Sequence, residues 1–168
     1  MQSYSTRAAE ESDIDCLVNM RGLLQKHVED SNSNIWRLST KGYKQLKQQS
    51  IKWIHNKDTR VLLVVDNRGQ AVGFAMGKIC RHQEYLPQVS GIIGQVFIKK
   101  EYRRQGIGRK LIVELCKFFA LNKVEDISVR YVSGNQEGER FWKKLGFKVR
   151  IKTAGTKRKN LLEKCLGL

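Results

Sequence analysis

Gly106 and Gly108, preceded by Arg103, Arg104 and Gln105 and followed by Arg109 and Lys110, carry the densest anion-binding chemistry in this 168-residue chain. Glycines there let the chain turn tightly and bring bare amides close to a ligand. Beyond them Ile107, Leu111, Ile112, Leu115, Phe118 and Phe119 recur at helical spacing, which predicts a helix from Ile107 to about Asn122. The first amides of a helix lack intrahelical acceptors, and its dipole adds partial positive charge at the same end. A strand–glycine–helix junction flanked by arginines is thus a ready site for a pyrophosphate. The spacing is neither that of a dinucleotide fold, because Leu111 stands where a third glycine would, nor GxxxxGK[ST]. On spacing alone, a structural glycine turn without a ligand stays open as an alternative.

The stretch Ile98-Lys-Lys-Glu-Tyr-Arg-Arg-Gln-Gly-Ile-Gly-Arg-Lys-Leu111 resembles the acetyl-CoA motif of the GNAT superfamily of N-acetyltransferases. Arg103, Gly106 and Gly108 stand at the fixed positions of its [Q/R]-x-x-G-x-[G/A] core. Downstream, Asn135-Gln-Glu-Gly-Glu-Arg-Phe-Trp-Lys-Lys-Leu-Gly-Phe147 resembles the second family motif, an Asn, a helix with an aromatic pair, then Gly-Phe. Arg7-Ala-Ala-Glu-Glu-Ser-Asp-Ile-Asp15 is similar to the family's approach to its first helix. The similarity is specific over about 91–147 and looser elsewhere.

The resemblance implies an α/β (α+β) fold of GNAT type: a mixed, mostly antiparallel sheet of six to seven strands, with about four helices on both faces. It also implies acetyl-CoA as co-substrate, with no metal. Pantetheine would enter between the strands before and after the glycine helix, along Val96, Phe97 and Ile98. The pyrophosphate would meet Arg103, Arg104, Gln105, Gly106, Ile107, Gly108 and Arg109. Asn135, Phe141 and Trp142 would lie toward the thioester. The implied reaction is direct attack of an uncharged amine on the thioester, so the enzyme must keep the amine neutral and protonate the leaving thiolate.

The residues depart from the family pattern at the proton-transfer positions. Trp142 stands where many members carry a tyrosine acid, and an indole N–H does not release its proton usefully. Ile92 stands where another branch places a glutamate base. Chain position leaves Glu84 and Tyr85, with His82, on the loop before that strand, and Tyr131 after the following one. Each by itself reads more readily as a surface or packing residue.

The elements that must position these groups follow from periodicity. Residues 4–9 suit a short strand. Ser12, with Asp13 and Asp15 in the first turn, opens a helix over 13–28, and Ser39 or Thr40 starts another that runs to about His55. Trp36 and Trp53 read as packing around that second helix. Two apolar runs, 60–65 and 70–79, flank Asp66-Asn-Arg-Gly69 and predict a hairpin. Residues 82–89 form a loop, 90–99 and 127–132 strands, and 136–145 a helix ended by Gly146. Residues 147–153 and 160–166 read as two final strands.

Composition sets outer bounds. The length fits one domain, 1–168, and no apolar run approaches the ~20 residues of a membrane span. Cys16, Cys80, Cys116 and Cys165 form no CxxC pair, which suits reduced thiols in a cytoplasmic protein. The formal net charge is +16, of which residues 99–168 contribute +12. That field favours phosphates and a neutral or acidic amine acceptor over a polycation. Two other classes stay open: an acyl-CoA-binding module with little catalysis, and an RNA- or ribosome-associated protein, which the absence of interleaved aromatics disfavours. The expected assembly is a monomer or homodimer.

Overall fold

The computed structural model describes residues 3–35 and 37–167; Trp36 lies outside them. Contacts divide the chain into two compact units, 1–136 and 137–168.

In the first unit, β1 (Ser5–Ala8) leads through a 3-10 turn into α1 (Ile14–Ser31). Asp13 fixes that corner: it takes both terminal nitrogens of Arg7, at 2.6 and 2.8 Å, and the Glu10 N–H at 2.8 Å. Arg7 foremost, then the Glu10 amide, holds the Asp13 carboxyl below its ordinary pKa. Next comes α2 (Thr40–His55), capped by Ser39, whose hydroxyl accepts from the Gly42 N–H at 3.0 Å. The hairpin β2 (Thr59–Val65) and β3 (Ala71–Arg81) turns through Gly69, and β4 (Val89–Ile98), α3 (Ile107–Leu121) and β5 (Asp126–Val129) follow.

These strands form one sheet in the order β1-β2-β3-β4-β5, antiparallel except for the parallel β4–β5 pair. Both faces are covered, as the nearly continuous apolar runs of β2 and β3 require. On one face Leu17 and Met20 of α1 share a buried cluster with Val61, Leu63, Phe74, Met76 and Phe97. On the other, Phe119 and Leu115 of α3 press so close that a Cβ at Gly77 would lie 2.8 Å from the Phe119 ring. A Cβ at Gly91 would lie 3.0 Å from the same ring. Glycine is what lets this helix sit against the sheet, and each fully buried leucine or phenylalanine contributes roughly 1.5–3 kcal/mol.

The second unit begins within α4 (Gln136–Lys144). Trp142 meets Phe141 and Phe147 edge-on, at 4.9 and 5.3 Å between ring centroids. Gly146, at φ 88°, ends the helix, and the Phe147 N–H returns to the Trp142 carbonyl. No strand follows. Residues 147–153 are without regular structure, and 160–166, expected as a strand, lie in α5 (Arg158–Leu166). The described sheet thus has five strands rather than six or seven, accompanied by five α-helices. Val149 and Ile151 are 61% and 87% exposed, so the alternation that suggested a strand has no buried face to serve. Leu161, Leu162, Cys165 and Leu166 repeat at helical spacing among good helix formers, which accounts for α5.

Candidate functional site

The glycine segment lies where β4 hands over to α3. Ile98 ends the strand, 100–102 form a 3-10 turn, and Gly106 is the N-cap residue of α3 in the left-handed region, φ 78°. Arg104 shares that region at φ 62°, where a side chain is strained. The first helical bond of α3 runs from the Lys110 N–H to the Gly106 carbonyl at 3.1 Å, and no side chain caps the helix. The amides ahead of Lys110 are therefore without intrahelical acceptors, as an anion site requires.

Contacts from several residues hold this loop. Arg103 donates Nε to the Ile98 carbonyl at 3.0 Å, and its guanidinium stands 6.0 Å over the Phe97 ring. Tyr4 donates its hydroxyl to Gln105 Oε1 at 2.7 Å, and Lys110 Nζ donates to the Tyr4 carbonyl. The chain before β1 is thereby tied to both ends of the motif.

The neighbouring strands part beside it. β5 pairs with β4 only from Ser90↔Asp126 to Ile93↔Val129, whereas β3 stays paired with β4 through Gly73↔Ile98. The parting coincides with a bulge: Met76 faces Gln95 and Gly77 faces Ile93, which makes Gly94 the extra residue. The Lys99 N–H bonds to Val72 on β3, so alternation along an antiparallel ladder turns the polar backbone of Val96 and Ile98 the other way, to the side β5 has left. Ile98 spends its carbonyl on Arg103; Val96 keeps both groups on that edge.

The remaining sequence-derived residues fall in different places. Phe97 is buried in the α1-side cluster, so its share in any site would be through its backbone. Ile107 is buried at the start of α3, and Gly108 half-buried beside it, while Arg104, Gln105 and Arg109 are exposed. Asn135 closes the first unit on a turn from its own N–H to the Val132 carbonyl. Phe141 and Trp142 belong to the second unit, where Trp142 is buried. Glu84 and Tyr85 sit on the 82–88 loop, which enters β4 at the end where it is paired with β5, about 16 Å of strand from Gly94. Tyr85 is 70% exposed and edge-on to His82, whose Nε2 is 3.0 Å from Ser90 Oγ. Tyr131 is half-buried two residues past Val129, on the side of the parting.

Two features escaped the reading of the sequence. Gly94 inside a β-branched run was a legible bulge signal. Arg21 was the other: it lies four residues after Leu17, on the apolar stripe of α1, and is only 4% exposed. Its guanidinium stacks 3.8 Å over Trp53. Nη1 donates to the Leu46 carbonyl and Ser50 Oγ, Nη2 to Gln49 Oε1, and Nε to Gln95 Oε1. Desolvation lowers its pKa to about 10, which leaves it charged at neutral pH.

A family model for the GNAT acetyltransferase domain matches residues 57–149. Among solved structures, a tetramutant of the BH1408 protein of Bacillus halodurans superposes with TM-score 0.79 at 17% identity, over 91% of this chain and 99% of that one. A predicted acetyltransferase of Clostridium acetobutylicum, solved with acetyl-CoA, gives 0.73 at 19% identity, over 97% and 98%. The aminoglycoside 6'-N-acetyltransferase AAC(6')-Ih of Acinetobacter baumannii gives 0.72 at 18%, over 93% and 98%. No curated protein matches the chain by sequence. At these identities the structures establish a shared fold, and the domain match, which covers more than half of the residues, establishes kinship. The chain belongs to the GNAT acetyltransferase family.

Proposed function

We propose that this protein transfers the acetyl group of acetyl-CoA to a primary amine. The observation that carries the reading is the parting of β4 and β5 at Gly94, next to a glycine-capped helix whose first amides have no intrahelical acceptor and no side-chain cap among the described residues. Pantetheine amides pair with the outward backbone of Val96 and Ile98 as an added strand would. The diphosphate takes the amides over 104–108, with Arg104 and Arg109 supplying charge. The Clostridium acetobutylicum neighbour, solved with acetyl-CoA, supports the choice of co-substrate.

In the reaction the amine nitrogen attacks the thioester carbonyl carbon, the carbon–sulfur bond breaks, the nitrogen gives up one proton as it becomes an amide, and the departing thiolate takes up one. Of the candidate donors, Tyr131 is the one on the side where the strands part, and we assign it the acid role. Glu84 and Tyr85 enter from the paired end of β4 and are left without a role.

The decisive experiment is calorimetric titration with acetyl-CoA. We expect micromolar binding, and loss of at least about tenfold in affinity in Gly108→Val, because a branched side chain in the first turn of α3 obstructs the diphosphate. Unchanged affinity in a folded Gly108→Val protein would sink the assignment.

A further inference from the structure

Arg21 is a full positive charge taken out of water without a carboxylate partner among the described residues. Such burial is costly unless the charge is satisfied, and here four neutral acceptors and an aromatic face do the satisfying. The four are unequal. Nη1 is anchored inside, by two buried bonds at 2.8 and 2.9 Å to the Leu46 carbonyl and Ser50 Oγ. Nε and Nη2 share the side-on edge of the guanidinium, the fork that takes both oxygens of one carboxylate. That edge is met by two separate glutamine amides, from Gln95 on β4 at 3.2 Å and Gln49 on α2 at 2.9 Å. Gln49 is an exposed side chain, so little holds it against a better acceptor. Gln95 is the residue after the Gly94 bulge, where the strands part. Trp53, stacked on the guanidinium, fixes the plane of the fork.

We infer that the Nε/Nη2 edge of Arg21 is a carboxylate-binding subsite, occupied in the free protein by Gln49 and Gln95, and that the acceptor is an amine that also carries a carboxylate. The inference rests on the acetyltransferase reading for the word acceptor; the subsite itself stands on the fork geometry. A charged oxygen pair displaces two neutral amide oxygens because its bonds to the guanidinium are charge-assisted at both ends. Amino acids and short peptides with a free carboxylate are the matching class. The same fork repels the ammonium groups of a polycation.

The test compares glutarate with glutaramide, by calorimetry, on the whole protein. Glutarate is expected to bind at least about tenfold more tightly, the difference between one charged fork and a neutral amide. Gln49→Glu puts an intramolecular carboxylate on the fork and should abolish the preference while raising Tm. Gln49→Ala uncovers the edge and should keep or strengthen it. Acetyl transfer should follow the same order, favouring amino acids over their amides in the wild-type protein and not in Gln49→Glu. Equal affinities for glutarate and glutaramide, no glutarate binding, or a preference untouched in Gln49→Glu would overturn the subsite. Acetyl-CoA titration of the same proteins judges the enzymatic reading separately. Glutarate discrimination without acetyl-CoA binding would uphold the fork and reject the transferase.

Discussion

The acid role proposed for Tyr131 and the ring of Trp142 can be tested separately. Trp142 offers a ring without a transferable proton, and its own surroundings are rings: Phe141 and Phe147 hold it edge-on. Trp142→Phe should keep most of the turnover, whereas Trp142→Ala should lower stability by about 3 kcal/mol, through lost packing. Tyr131→Phe keeps the ring and removes the acid. It should reduce kcat by about 100-fold with acetyl-CoA affinity unchanged. Steady-state kinetics beside calorimetry separate the two, and full activity in Tyr131→Phe would remove the acid from that position. The turn before α3 was legible because glycine was needed there for a physical reason: Gly106 occupies φ 78°. Arg21 was not, because periodicity reports the face on which a residue lies and is silent on its hydrogen bonds.

At the scale of elements, the helices α1, α2 and α3 and the strands β2, β3 and β4 were readable because each has a face that must be buried, and burial imposes a period. Residues 147–153 show the converse. Apolar and basic residues alternate there, yet with no sheet face to receive Val149 and Ile151 the alternation specifies nothing. β5 came out shorter than expected, ending at Val129, since its partner strand bulges at Gly94. The corner from β1 to α1 gives a titration that can be followed. Asp13 has a depressed pKa, so its contribution is complete above the ordinary aspartate range and is lost as pH falls below that range through the depressed value. Half-exposed Arg7 leaves the pair screened, and Asp13→Asn should cost about 1 kcal/mol at pH 7. Thermal melts of both proteins should converge as the pH drops well below the ordinary aspartate range. A gap that persists unchanged at low pH would mean that the pair does not hold the corner.

For the molecule as a whole, charge is the dominant property. Thirty-two basic side chains oppose sixteen acidic ones, and between Asp66 and Glu101 the only acid is Glu84. Encounter with a polycation is slowed by such a field and burdened by like-charge repulsion, whatever the fold shared with an aminoglycoside acetyltransferase. Across acidic peptides, neutral amines, polyamines and aminoglycosides, kcat/KM should fall in that order, and added salt should narrow the range. Efficient polyamine turnover that declines as salt rises would contradict this. No helix among the described residues is long and apolar enough to cross a membrane. One consequence remains in the strand edge that β5 leaves open. An uncovered row of backbone donors and acceptors is a template on which another chain can add a strand. The ligand that fills the parting would then act as a plug as well as a reactant: it would protect the protein from its own copies. Colloidal shelf life and thermal resistance would both climb with the concentration of such a ligand, by mass action on the folded state alone.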